Sequence, residues 1–261
     1  FNPALATAAI SGVAAQGFSN DAMLDGGAKV VSHFLDQGTA RLVPGLDLFM
    51  RTLRVYFAVD NRYVKRKMQR VLFPFLYKDW ARLEDDASST ATSIAYAPPV
   101  QDENAFDLYI PSMALITYVL LCALCYGTAG EFNPEVLPDV TTKCFATQIL
   151  EVIAVRGGYY AMQAPCSLLD LFSATGYKYL GLSINMLVGL LLGHLGWGHR
   201  GYYGTFLWTA SAASYFMLKT MANNIPRMTA ATGPKREFMV LGFAASQFAT
   251  MWFVSQTRFL N

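Results

Sequence analysis

Four stretches of this chain run for the length of a membrane crossing without Asp, Glu, Lys or Arg. They are residues 108–130, 179–199, 201–218 and 238–257, of 23, 21, 18 and 20 residues. A hydrocarbon core about 30 Å thick takes about 20 apolar residues per helix. The charged residues are concentrated elsewhere, chiefly before residue 108. Hydrophobic residues are 54% of the chain and charged residues 15%, against about 25% charged in an average soluble domain. That balance excludes intrinsic disorder and an ordinary soluble enzyme. Four cysteines in 261 residues exclude a disulfide-stapled scaffold.

Where the charges fall sets the number of crossings. Between Arg41 and Arg82 ten Lys/Arg face only Asp47, Asp60 and Asp79. Basic segments stay on the cytosolic side, so this region is expected there. The loop with Glu131, Glu135 and Asp139 suits the opposite side. The loop carrying Lys219, Arg227, Lys235 and Arg236 belongs with the cytosol again. An even number of crossings must join residue 107 to residue 219, yet three clean runs lie between them. The weaker stretch 137–160, interrupted by Lys143, Glu151 and Arg156, supplies the fourth. The expected fold is all-α and polytopic. A cytosolic region, 1–107, precedes five transmembrane helices at about 108–130, 137–160, 170–195, 201–219 and 238–257, and the C-terminus is lumenal. The chain begins at Phe1 without a methionine, so its own start is expected upstream.

Within the first region, Asp60-Asn61 is a helix N-cap signal. Tyr63, Val64, Met68, Val71 and Leu72 follow at helical spacing. Arg62, Lys65, Arg66, Lys67 and Arg70 fill the complementary face, and Pro74 stops the helix. A basic amphipathic helix near 61–73 is expected to lie on the membrane surface, its cations toward anionic lipid. Nucleic acid would need a binding module that is not seen. An acidic, Ser/Thr/Pro-rich linker is expected over 84–107.

Charged side chains inside the apolar half are costly and usually face other helices or water. Glu151, Asp170 and Lys178 stand out. Glu151 and Lys178 fall at matched depth on neighbouring antiparallel helices, so an intramembrane ion pair is expected, with a transport role for these three charges as the rival. Small residues let helices approach in lipid. Gly189 with Gly193, and Gly242 with Ser246, mark packing or partner faces. Cys122 and Cys125 sit within an apolar run, without the ligands zinc or redox chemistry needs. Cys166, at a membrane boundary, could accept a palmitoyl chain. His33 is the lone histidine of the first region, and His194 and His199 have no carboxylate near in sequence. The reading has no catalytic residues, cofactor or metal.

Several strings carry a family likeness. Tyr56-Phe-Ala-Val-Asp-Asn-Arg-Tyr-Val64, Lys65-Arg-Lys67, Leu72-Phe-Pro-Phe75 and Trp80 resemble the cytosolic block of the Yif (Yip-interacting factor) family. The string Asp107-Leu-Tyr-Ile-Pro-Ser-Met is similar to that family's entry into its first membrane helix. Leu150-Glu-Val152, Gly176-Tyr-Lys-Tyr179, Gly201-Tyr-Tyr203 and Trp208-Thr209 resemble its later landmarks, in order. The likeness runs from about residue 18 to near the end. It departs at the insert around Glu84 to Thr92 and at the Arg156 end of the second helix. The resemblance implies a non-enzymatic protein of the Golgi and endoplasmic reticulum that supports vesicle transport. It also implies a Yip-type membrane partner and prenylated Rab-type GTPases. A small-solute or lipid transporter, and an accessory subunit of a larger membrane complex, are the alternatives.

Overall fold

The computed structural model describes residues 46–83, 96–130, 132–164, 166–193, 198–225 and 236–255. The chain divides after Arg54 into two compact units, 1–54 and 55–261. Of the first unit only the start of helix α1 (Leu46–Phe57) is described. The second unit holds the last turn of α1 and everything after it. Its helices are α2 (Asn61–Leu72), α3 (Tyr109–Thr128), α4 (Val136–Ala161), α5 (Leu168–Gly176), α6 (Lys178–Gly193), α7 (Gly198–Asn224) and α8 (Arg236–Val254). Among the described residues there is no strand. Two helices, α3 and α8, are long and apolar enough to cross a membrane.

Local chemistry explains the helix ends. The Asp60 side chain accepts from the Asn61 amide at 2.8 Å and opens α2. Phe73 caps its end, and Pro74 starts a single 3₁₀ turn, Pro74–Leu76. Pro111 stands in the first turn of α3, where no backbone donor is missed. The stretch expected as one helix over 170–195 is broken. α5 stops at Gly176, Tyr177 forms a turn, and Leu180 donates to the Tyr177 carbonyl at 3.1 Å, a three-residue step. The interruption leaves α6 only 16 residues long.

The bundle is organised about α6, which packs against α7 and α3 and touches α8, while α4 packs on α5, α3 and α8. Tyr118, Tyr177, Tyr179, Tyr202, Met186 and Met217 fill its centre. Close approach is decisive where α5 meets α3. A Cβ added at Gly176 would lie 2.8 Å from the Cβ of Pro111, a ring that has no rotamer into which to retreat. Gly176→Ala should therefore destabilise the bundle by about 1–3 kcal/mol. A Cβ at Gly242 meets nothing within 4 Å, so Gly242→Ala should leave stability unchanged. Thermal unfolding of the two variants side by side is the measurement.

The expected linker is folded where it is described. Residues 84–95 lie outside the described residues, but Ala97, Asp102, Ala105, Phe106 and Asp107 are buried. Asp102 accepts from the amides of Leu83 at 3.0 Å and Asn104 at 2.8 Å. The Ala97 amide returns to the Leu83 carbonyl at 3.0 Å. The acidic residues here cap a loop closed on the protein, rather than solvating a free tether.

Candidate functional site

Two buried polar centres tie the elements together. The first joins three helices at one level. Lys178, the first residue of α6, bonds the Glu151 carboxylate of α4, and Gln247 of α8 donates to the other carboxylate oxygen. The side chains of Lys178 and Glu151 are 0% and 2% exposed, so the charges have little but each other and Gln247 to replace water. Tyr179, next along, donates to the Cys144 carbonyl on α4 at 2.8 Å.

The second centre lies where α2 meets the bundle. Asp107, fully buried, accepts from Tyr177 Oη at 2.5 Å and Tyr63 Oη at 3.0 Å through Oδ2. Its Oδ1 accepts from the Ile110 amide at 2.8 Å. Ser173 Oγ donates to the Asp107 carbonyl at 2.5 Å. Lys67 Nζ donates to the carbonyls of Glu103 at 2.9 Å and Ala105 at 2.8 Å, and stands 5.3 Å from the Tyr177 ring centroid. Burial and the Asp107 carboxylate hold the Tyr63 phenol well above its usual range.

The five bases expected on one lipid-facing surface therefore divide. Arg62, Lys65 and Arg66 are exposed, and Arg66 pairs with Glu103 at 2.7 Å. Lys67 and Arg70 are corrected to interior positions. Arg70 bonds Asn104 and lies over the rings of Tyr77 and Trp80 at 4.6 and 5.7 Å. Helical spacing alone places all five opposite the apolar stripe; the aromatic and carbonyl partners that draw two of them inward come from residues 77–105.

Burial pushes the Lys67 ammonium down to about 8, against an ordinary 10.5. Between those values the unfolded chain holds a proton that the folded chain does not, so folding is favoured as pH rises. Relative to Lys67→Met, the native protein should gain on the order of 3 kcal/mol from pH 8 to pH 10.5. Paired thermal unfolding curves across that range check it.

Asp170 does not join the Glu151–Lys178 pair. It accepts from Tyr56 Oη at 2.5 Å and pairs with Arg82 at 3.3 Å, beside a cavity of about 210 Å³ lined by Arg82, Tyr96 and Phe106. A second cavity, about 250 Å³, is lined by Leu72, Phe73, Ile184, Gly204, Thr205, Trp208 and Thr209. Neither is lined by Glu151 or Lys178. Gly189 is buried, and the α6 backbone at Gly189 and Gly193 borders Gly198 at the head of α7. Gly242 is exposed and Ser246 half-buried on α8. Cys122, Cys125 and Cys144 are buried free thiols, and Arg156 donates to Cys166 Sγ at 3.7 Å. His33 and His194 fall outside the described residues, and His199 packs beside Tyr203. Among the described residues no three His, Cys, Asp or Glu side chains gather as a metal site.

Gln247 and Asp107 are the functional-site residues that sequence reasoning misses. Asp107 had a signal, an acid just ahead of an apolar helix with Pro in its first turn. Gln247, a lone amide among apolar residues, had none beyond its rarity in such a run.

The class defined here is an all-helical protein with two helices long and apolar enough to cross a membrane, the segment before Asp107 and the bundle being joined by buried polar bonds. More narrowly, the chain belongs to the YIF1 family, whose profile matches residues 20–255. It is 32% identical to protein YIF1B-B of Xenopus laevis, over 94% of this chain and 81% of that one. It is 34% identical to human protein YIF1B, over 91% and 74%. A fission-yeast relative, 29% identical over 90% and 83%, is named protein transport protein yif1. No solved structure matches the chain.

Proposed function

We propose that this protein is a membrane adaptor of vesicle transport between endoplasmic reticulum and Golgi. It associates with a Yip-type membrane protein and with prenylated Rab-type GTPases. Family membership carries the reading, since members from two yeasts are named protein transport proteins. In this reading the chain crosses the bilayer five times, through α3, α4, α5 with α6, α7 and α8. The basic residues before Asp107 are cytosolic, and the C-terminus is lumenal. The charge distribution along the chain supports that topology. Glu151 and Lys178 act structurally, stapling three crossings. Gly242, Ala245 and Ala249 leave an exposed stripe of small residues on α8, which suits a partner's transmembrane helix. Arg62, Lys65 and Arg66 face anionic lipid. Confinement to one membrane raises the effective concentration of weak partners.

Purification of the full chain in mild detergent, followed by mass spectrometry, tests the reading. A Yip-type protein should co-purify, and prenylated GTPase should be retained over the unprenylated form. Recovery of neither would overturn it.

A further inference from the structure

The chain leaving α2 does not turn out into solvent. Trp208 of α7 donates from Nε1 to the Leu72 carbonyl at 3.2 Å. The rings of Phe73 and Phe75 lie 5.8 and 5.9 Å from Trp208, and Phe75 lies 4.7 Å from Tyr215. Trp208 and Tyr215 belong to the uncharged stretch 201–218, eleven and four residues before Lys219. At 1.5 Å per residue that is roughly 16 and 6 Å along the helix from Lys219. A segment from the cytosolic region thus rests on a face of α7 that lies below the headgroups, if α7 crosses the bilayer as proposed.

Among the described residues nothing covers the outer side of Phe73–Leu76, which is apolar, and the exposed Lys78 and Asp79 follow it. Phe73 and Phe75 are about half exposed and Leu76 is 78% exposed, while Leu207, next to Trp208 on α7, is 61% exposed. In water three such side chains within four residues would be a liability. In hydrocarbon they are not. On the inner side lies the cavity of about 250 Å³ between Leu72, Phe73, Gly204 and Trp208. Charge is complementary as well: the exposed Arg62 and Lys65 stand two to three turns back along α2, on the side of anionic cytosolic headgroups.

We infer that Phe73–Leu76 is a membrane-inserted wedge, seated among the acyl chains of the cytosolic leaflet. The inference rests on the proposed crossing of α7. It makes the α2 region an integral part of the membrane domain, held from below by hydrocarbon and from above by headgroup charge.

Nitroxide labels test it on the full chain in phosphatidylcholine–phosphatidylserine vesicles. Leu76→Cys carries the wedge label, Leu207→Cys the hydrocarbon reference and Asn61→Cys, exposed at the far end of α2, the water reference, all with Cys166→Ser. Leu76 is mostly exposed, so its replacement leaves packing intact. Oxygen, which concentrates in lipid, should relax the Leu76 and Leu207 labels several-fold more than a water-soluble nickel complex does. The Asn61 label should show the reverse. A Leu76 label that follows Asn61 overturns the wedge while α7 still crosses. A Leu76 label shielded from both agents means that protein covers the turn, and also overturns it. A Leu207 label relaxed by nickel removes the crossing of α7, and the wedge with it.

Discussion

Glu151→Ala should cost about 3–5 kcal/mol of folding stability, the usual cost of leaving one partner of a buried ion pair unmatched. Lys178 has no alternative. Its side chain is fully buried, it opens α6 directly behind the Tyr177 turn, and it bonds the Glu151 carboxylate. Lys178→Met should lose as much, because it leaves the carboxylate with only the Gln247 amide. Replacing both by Met should recover part of the loss, because no charge is left unpaired, but should stay about 1–3 kcal/mol below the native protein, because the buried Gln247 amide loses its acceptor. The exchange Glu151→Lys with Lys178→Glu should recover most of the loss. Gln247 accommodates it by presenting its amide oxygen instead of its nitrogen. The buried thiols of Cys122, Cys125 and Cys144 give the readout, reacting with a thiol dye as the protein unfolds in detergent. Failure of the exchange to restore stability would refute the pairing as the structural role of these charges.

Asp107→Ala should release the segment before α3 from the bundle. The substitution strips two buried donors of their acceptor, Tyr177 Oη and the Ile110 amide, while Tyr63 Oη keeps the Ala105 carbonyl at 3.0 Å. Each orphaned donor costs about 1–3 kcal/mol, so the total should be about 2–6 kcal/mol. Tyr63→Phe removes one donor and leaves the others paired, and should cost about 1 kcal/mol. Trypsin distinguishes local release from global unfolding. Cleavage at Lys65 and Arg66 on α2 should accelerate strongly in Asp107→Ala, with thiol exposure in the bundle changing far less. Equal acceleration of both would mean that Asp107 supports the bundle as a whole.

These two centres differ in how far the sequence reveals them. Glu151 and Lys178 are legible because a charge in an apolar run is rare, and because two charges at equal depth on adjacent helices have an obvious use for each other. Gln247 is not legible, because a neutral amide announces no partner. Asp107 is legible as a helix-start residue but not as a hub, since Tyr63 and Tyr177 lie 44 and 70 residues away. The basic helix shows the limit most plainly. Its period predicts one polar face, yet Lys67 and Arg70 turn inward to the carbonyls of Glu103 and Ala105 and the rings of Tyr77 and Trp80. The stretch 84–107 was expected as an acidic linker; in its described part Asp102 uses its carboxylate to hold the amides of Leu83 and Asn104.

What the sequence determines by itself is the local and the summed: apolar runs of membrane length, the charge of each loop, and the helix start at Asp60. Each depends on neighbours within a turn or on composition over a stretch, and neither changes with the rest of the fold. Only the tertiary structure decides the break at Tyr177, the triad completed by Gln247, the inward bases of α2 and the seating of Phe73–Leu76 on Trp208 and Tyr215. The reason is the cost of an unsatisfied buried polar group. That cost is met by whichever distant backbone or side chain the fold brings within bonding distance, and sequence spacing does not encode that distance.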